Sequence, residues 1–277
     1  MPLTRYACTH CGHWHKGFVG QWPVFCLVCS DVRNALPPDG WDFAEASRLA
    51  SIVKNHMHMP LPGITAITCT PPFGLGATGW IIEHEEGNIA FEAAPYYHAE
   101  TLEHIASLGQ LRALSASHPH GYGALWQLQE RFDPVVVIHR NDVCYTKAFR
   151  VTWPIDEVHE LASGITMHHV GGHYDGQCVL YDQERKAAFV GDALKIDFDA
   201  DGRPVALSCH KGYHYAIPLS HAELRHYRNV FSKLDFEHVF TTFDYGAGVR
   251  TKHALALFDT LLSGPPTTRA ISLGILS

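Results

Sequence analysis

The sequence predicts an α/β chain, with strands covered by helices, preceded by a small metal-ribbon module. Three observations carry this reading. Short apolar runs of strand length alternate with stretches whose apolar residues recur at helical spacing. Four cysteines near the N-terminus stand as two C-x2-C pairs. The chain has 277 residues, 46% apolar and 11% aromatic, enough for one large domain or a domain with an appendage, and enough to bury a sizeable core. The expected division is a ribbon over 1–35, a linker with a helix over 36–62 and the main domain over 63–277.

The ribbon rests on Cys8 and Cys11, then fourteen residues, then Cys26 and Cys29. That is the spacing of two knuckles closing on one tetrahedral ion. A segment this short carries too little apolar surface to fold alone, and a structural metal supplies what the core lacks. The pair resembles a zinc ribbon or a rubredoxin-like knuckle pair, which implies Zn2+ or, in the same thiolate cage, iron. Two disulfides are disfavoured because no secretion signal precedes them. His10, His13 and His15 crowd the ribbon; four thiolates complete a tetrahedron without them, so they are expected as solvated loop residues. Cys69, Cys144, Cys178 and Cys209 have no metal spacing and are expected as reduced, mostly buried thiols.

Beyond the ribbon, Pro37-Pro38-Asp39-Gly40 marks a turn and residues 42–54 have helical character, ended by Pro60 and Pro62. Residues 64–70, 79–83 and 88–92 read as a meander of strands. A helix over 99–108, a strand over 111–117, a helix over 122–132 and a strand over 135–138 follow. His139, at that strand's exit, reads as structural. Residues 164–170, 177–181 and 187–190 are further strands. Residues 195–215 read as a long irregular excursion whose aromatic and histidine residues either wall a pocket or cover a sheet edge. Ser220 with Glu223 forms a capping box before a helix bearing Leu224, Tyr227, Val230, Phe231 and Leu234. Residues 251–262 are the last helix.

The chemistry-bearing residues stand at strand ends, where α/β scaffolds place their sites. His118 and His120 leave the strand over 111–117 as an H-x-H pair. At i and i+2 on extended chain both imidazoles face one side and can share an ion. His173 follows Gly171-Gly172 at a strand exit, and Asp192 follows Gly191 at another. Three imidazoles and a carboxylate suit a borderline divalent ion.

This order, H-x-H, then G-G-H-x-x-G, then an apolar strand and G-D, resembles the metallo-β-lactamase superfamily over roughly residues 60 to 265. The resemblance implies an αββα sandwich, with His118, His120 and His173 on one metal and Asp192 as the bridging aspartate. The chain departs from the pattern at Tyr122 and Gly123, which stand where the family has an aspartate and a histidine, and at Asp244, which stands at the last-histidine position. Those departures imply a single-metal site; Asp244 could restore part of a second. The expected activity is metal-dependent hydrolysis of a small-molecule substrate, through a metal-activated water that Asp192 orients or deprotonates and an oxyanion that Tyr122 stabilises. Two alternatives stay open. With Fe2+ on His118, His173 and Asp192 the chain would resemble the superfamily's persulfide dioxygenases. With a degenerate site it would be a binding or regulatory protein.

A net charge of −7 with histidines neutral argues against a nucleic-acid partner held through phosphates. The N-terminus lacks a basic-then-apolar signal and no apolar run reaches the length of a membrane span. The expected location is cytoplasmic.

Overall fold

Strand and helix signals resolve into two units, Met1–Ile155 and Asp156–Ser277. They are seen in a computed structural model that describes residues 1–34 and 36–275.

In the first unit β1 (Leu3–Cys8) pairs antiparallel with β2 (Trp14–Phe18) and with β3 (Phe43–Glu45). Alternation along β1 divides its side chains between two cores. Tyr6 and Cys8 join Cys11, Cys26, Cys29 and Phe43 in one cluster. Ala7, with Trp14 of β2 and Ala44 of β3, enters the large cluster that also holds Leu114, Leu125 and Ile138. The ribbon residues are therefore folded into the core of this unit.

The helix expected over 42–54 is shorter: α1 spans Ala46–Ile52 and runs into β4 (Lys54–Leu61). Pro60 does not stop regular structure as expected, because β4 is the outer strand of its sheet, and an edge strand tolerates proline. Next come β5 (Ile64–Thr70), β6 (Gly79–Ile82), β7 (Asn88–Phe91), α2 (Ala99–Ser107), β8 (Leu111–Ser115), α3 (Leu125–Phe132), β9 (Val135–His139) and β10 (Trp153–Ile155). The sheet runs β10-β9-β8-β7-β6-β5-β4. The meander of β5, β6 and β7 is antiparallel, as expected, whereas β7, β8 and β9 are parallel, with α2 and α3 as crossovers. Phe91 and Ser115 are register partners on adjacent parallel strands. The residues just beyond them, Glu92 and Ser117, accordingly leave the sheet on the same edge. The helix expected from 122 begins only at Leu125, because residues 119–122 form a 3-10 turn.

In the second unit β11 (Val158–Ala162), β12 (Ile165–His169), β13 (Cys178–Asp182) and β14 (Ala187–Phe189) form an antiparallel run. The supposedly irregular 195–215 region contains a hairpin, β15 (Lys195–Phe198) and β16 (Pro204–Ser208), around the predicted turn at 199–202. Its short strands alternate over too few residues to signal themselves in sequence. Then follow α4 (His221–Phe231), β17 (His238–Phe240), β18 (Tyr245–Ala247), α5 (Thr251–Leu262) and β19 (Ile271–Ser272). The predicted capping box is present: Ser220 Oγ accepts from the Glu223 amide and the Glu223 carboxylate from the Ser220 amide. Tyr227 and Phe231 of α4 pack with Phe258 of α5. No described helix is long and apolar enough to cross a membrane.

Candidate metal centres

The four ribbon cysteines converge. Cys8 Sγ lies 3.8 Å from Cys29 Sγ and Cys11 Sγ 3.6 Å from Cys26 Sγ, and all four sulfurs lie within 4.8 Å of one another. A disulfide needs about 2.05 Å. A tetrahedron of sulfurs about 2.3 Å from a central ion has edges near 3.8 Å, so the donor set fits a thiolate-bound metal. The thiols also disagree among themselves. Hydrogen bonds from Cys11, Cys29 and Cys8 pull Cys26 far below the usual thiol range, while hydrogen bonding with Cys26, Cys29 and Cys8, and burial, push Cys11 up. Four buried thiols cannot all ionise together unless a cation joins them. Of the remaining cysteines, Cys69, Cys178 and Cys209 are buried and Cys144 is exposed, none of them in a disulfide.

The ribbon histidines need correction. His13 is 3% exposed and His15 9%, so neither is a solvated loop residue. The packing of β2 against β1 turns both inward, an effect invisible in a short glycine-rich text. Both ring nitrogens of His13 are buried, and burial holds its imidazole down at about 4.

In the first unit His118 and His120 flank Pro119, their ring centroids 5.2 Å apart and nearly perpendicular. His118 Nδ1 lies 2.7 Å from Ser117 Oγ, and Ser117 Oγ donates to Glu92 Oε1. A hydroxyl that donates to a carboxylate is left with lone pairs, so it accepts the His118 Nδ1 proton. His118 Nε2 then carries the imidazole's lone pair. Glu92 is buried and held tightly: it adopts φ 59°, and a Cβ on Gly121 would lie 1.1 Å from its Oε2. Sequence reading misses Glu92 and Ser117 as site residues, although Glu92 ends a predicted strand just as the chosen residues do.

In the second unit the paired glycines before His173 take φ 65° and 81°, and a Cβ on Gly172 would lie 2.6 Å from Tyr227 Oη. Tyr227 Oη in turn donates to the Gly171 carbonyl. His173 Nδ1 donates to the Lys211 carbonyl at 3.0 Å. A carbonyl only accepts, so Nε2 holds the lone pair, and it faces Asp192 Oδ2 at 3.5 Å. Tyr213 adjoins this pair, its ring 5.4 Å from that of His173 and its hydroxyl donating to the Asp192 carbonyl. Lys211 and Tyr213 lie in the excursion that sequence reading leaves undivided between wall and covering.

Two expected residues stand elsewhere. The Tyr122 ring is fully buried against Phe149, and its hydroxyl donates to the Asp142 carbonyl at 3.3 Å. It is a packing residue of the first unit and does not present its hydroxyl as an oxyanion donor. Asp244 is exposed; its carbonyl accepts from the Thr241 amide in the turn between β17 and β18, and among the described residues it joins no group of converging ligand atoms. The place of the histidine that follows the family's missing aspartate is closed as well. Gly123 has φ 32°, and a Cβ there would lie 2.3 Å from the Ala93 carbonyl oxygen and 2.6 Å from that of Ala94.

Scaffold and side chains thus define an α/β protein with histidine, aspartate and cysteine groups suited to metal ions. The sequence pattern of the metallo-beta-lactamase superfamily matches residues 73–230, more than half the chain, and the chain belongs to that family. It is 26% identical over 256 residues to the uncharacterized protein YmaE of Bacillus subtilis (strain 168), covering 88% of this chain and 89% of that protein. Among solved structures it is similar to VMB-1 at TM-score 0.57, 14% identity, with 75% of this chain and 97% of that one covered. It is likewise similar to the mono-zinc form of the metallo-beta-lactamase FIM-1 from Pseudomonas aeruginosa, at TM-score 0.55, 11% identity, and 76% and 98% coverage. These likenesses bear out the expected α/β metallo-β-lactamase-like fold class.

Proposed function

We propose that the protein is a metal-dependent hydrolase acting on a small-molecule substrate through a single ion shared by His118, His120, His173 and Asp192, with a second, structural ion on Cys8, Cys11, Cys26 and Cys29. The observation that carries this is the approach of His173 Nε2 to Asp192 Oδ2 at 3.5 Å. Both atoms are hydrogen-bond acceptors when Nδ1 carries the ring proton and donates it in a hydrogen bond to the Lys211 carbonyl. Two acceptors face one another stably only with a cation or an added proton between them, and His173 is buried to 2% exposure, where a bound ion would be shielded from water.

Family membership supports assigning the H-x-H pair of the first unit to the same ion, and three imidazoles with a carboxylate are a donor set suited to zinc. The closed position at Gly123 and the buried Tyr122 support one ion rather than two; FIM-1, a structural relative, is known in a mono-zinc form. A divalent ion held by these residues would supply Lewis-acid chemistry that lowers the pKa of water toward neutrality. The protein's own groups do the rest. His118 and His173 are held in the Nδ1-protonated form by Ser117 and by the Lys211 carbonyl, which keeps their Nε2 lone pairs directed. Asp192, steadied through its backbone by Tyr213, orients the attacking water and takes up its proton at a carboxylate oxygen.

The test is turnover of a panel of chromogenic esters, thioesters, lactams and phosphodiesters by zinc-loaded, metal-stripped and iron-loaded protein. Hydrolysis that vanishes on stripping, returns with zinc and is lost in His173→Ala supports the reading. Hydrolysis unaffected by His173→Ala, or oxygen consumption confined to the iron form, contradicts it.

A further inference from the structure

The ribbon is joined to the segment that carries His118 and His120 through a set of close fits within the first unit. Directly after Cys11, Gly12 adopts φ 82°, and a Cβ on it would lie 3.2 Å from the Pro95 side chain; a Cβ on Gly74 would lie 2.5 Å from the Gly12 nitrogen. Two residues on, Trp14 Nε1 donates to the Pro95 carbonyl at 2.7 Å, and its ring packs 5.2 Å from Trp126 and 6.4 Å from Tyr96. Between them His13 lies 6.3 Å from the ring of Tyr122, two residues beyond His120. The strand exit that receives Trp14 also receives the histidine loop. The Ala93 amide donates to the Gly121 carbonyl at 2.8 Å, and the Ala124 amide to the Ala94 carbonyl at 2.9 Å. Residues 93–96 are therefore held from one side by the knuckle and hold the histidine loop on the other.

We infer that the metal-bound four-cysteine knuckle positions the His118–His120 loop through Trp14, so that filling the ribbon site raises the affinity of the histidine site for its ion. This rests on the metal-site reading proposed above. A knuckle of this size takes its fold from its ion. Without that ion, Gly12 and Trp14 lose their fixed seat on Pro95, and residues 93–96 lose one of the two surfaces that hold them. The coupling is a thermodynamic one and runs both ways, so an ion on the histidines also tightens the ribbon. Trp14 is here a positioning residue, touching neither ion nor substrate.

Cobalt titration of the stripped full-length protein tests this, because thiolate-bound cobalt gives intense charge-transfer bands whereas histidine- and carboxylate-bound cobalt gives weaker ligand-field bands. The wild type is expected to fill both sites. Trp14→Phe, which keeps a ring but removes the donor to Pro95, is expected to keep the thiolate bands and to bind cobalt at the histidines about tenfold more weakly, the size of effect known for outer partners of metal ligands. Cys29→Ser, which breaks the knuckle away from Gly12, is expected to weaken the histidine site at least as much. Wild-type affinity at the histidine site in Trp14→Phe overturns the inference, whether or not Cys29→Ser folds; a loss of thermal stability alone, without a change in that affinity, does the same. His118→Ala separates the two readings: histidine-type bands that survive it remove the metal-site proposal and the coupling together, whereas bands that vanish in His118→Ala but stand unchanged in Trp14→Phe remove the coupling only.

Discussion

In the first unit the imidazole of His118 is oriented by a relay of side chains, Ser117 Oγ and then Glu92, while in the second unit His173 donates straight to the backbone carbonyl of Lys211. Both arrangements put the proton on Nδ1 and leave Nε2 for an ion. They differ in what can break them. A relay of side chains can be removed one atom at a time and depends on the charge of a buried carboxylate; a backbone carbonyl persists through any side-chain change that leaves its loop folded. The first histidine should therefore be fragile to substitution and the second robust.

Gly121→Ala should give the largest effect. Its Cβ would fall 1.1 Å from Glu92 Oε2, so the carboxylate must move and the relay must come apart. Overpacking of this kind destabilises by about 1–3 kcal/mol, and affinity at the histidine site is expected to fall on the order of 100-fold, measured by competition with a chromogenic chelator. Ser117→Ala leaves Glu92 in place but deletes the acceptor of the His118 proton. Affinity should drop about tenfold in the same assay, with unfolding temperature little changed.

Lys211→Ala is the matching change in the second unit. It leaves the carbonyl that holds His173 and removes only a half-exposed ion pair to Glu223, at 2.7 Å. Less than about 1 kcal/mol of stability should be lost, with metal affinity within roughly threefold of the wild type. An effect as large as that of Ser117→Ala would erase the contrast between the two histidines.

The smallest effect belongs to His253, which distinguishes acid loss of fold from acid loss of metal. Its Nδ1 accepts from the Arg250 amide at the start of α5, which requires the neutral ring. Burial, with the Lys252 and Arg250 charges adding to it, holds its ionisation below the ordinary 6.5. The unfolded chain then takes up a proton before the folded one, so the contribution is complete above 6.5 and declines as pH falls below it. His253→Gln should flatten the fall in unfolding free energy of metal-stripped protein below that pH, by no more than the roughly 1.4 kcal/mol per pH unit that one proton can contribute. An unchanged slope would assign the acid sensitivity to other groups.

The ease with which these features can be read from sequence follows their locality. Cys8, Cys11, Cys26 and Cys29 sit in two knuckles whose spacing alone implies convergence. Strand ends at Ser117, Gly172 and Gly191 are legible from apolar runs stopped by glycine or a polar residue, and the capping box at Ser220 from two residues three apart. What fails depends on tertiary surroundings. His13 and His15 look like loop residues until β2 pairs with β1 and the His15 ring meets Phe43. Pro60 looks like a breaker until β4 is known to be an edge strand. Tyr122 can be aimed at an oxyanion by position, yet its hydroxyl bonds the Asp142 carbonyl, twenty residues away in sequence. Asp244 draws attention by its place after a strand, and the turn it closes with Thr241 depends on backbone hydrogen bonds that no residue pattern announces.

Elemental analysis of the purified protein and of two variants tests the central claim most directly. The account expects about two metal ions per wild-type chain, one on the cysteines and one shared by both pairs of donors. It expects about one in His118→Ala and about one in His173→Ala, since each variant removes one of the imidazoles assigned to the shared ion. If either variant keeps both ions, or if the wild type holds only the cysteine-bound one, then the histidines of the two units do not serve a common metal and the hydrolytic proposal is wrong.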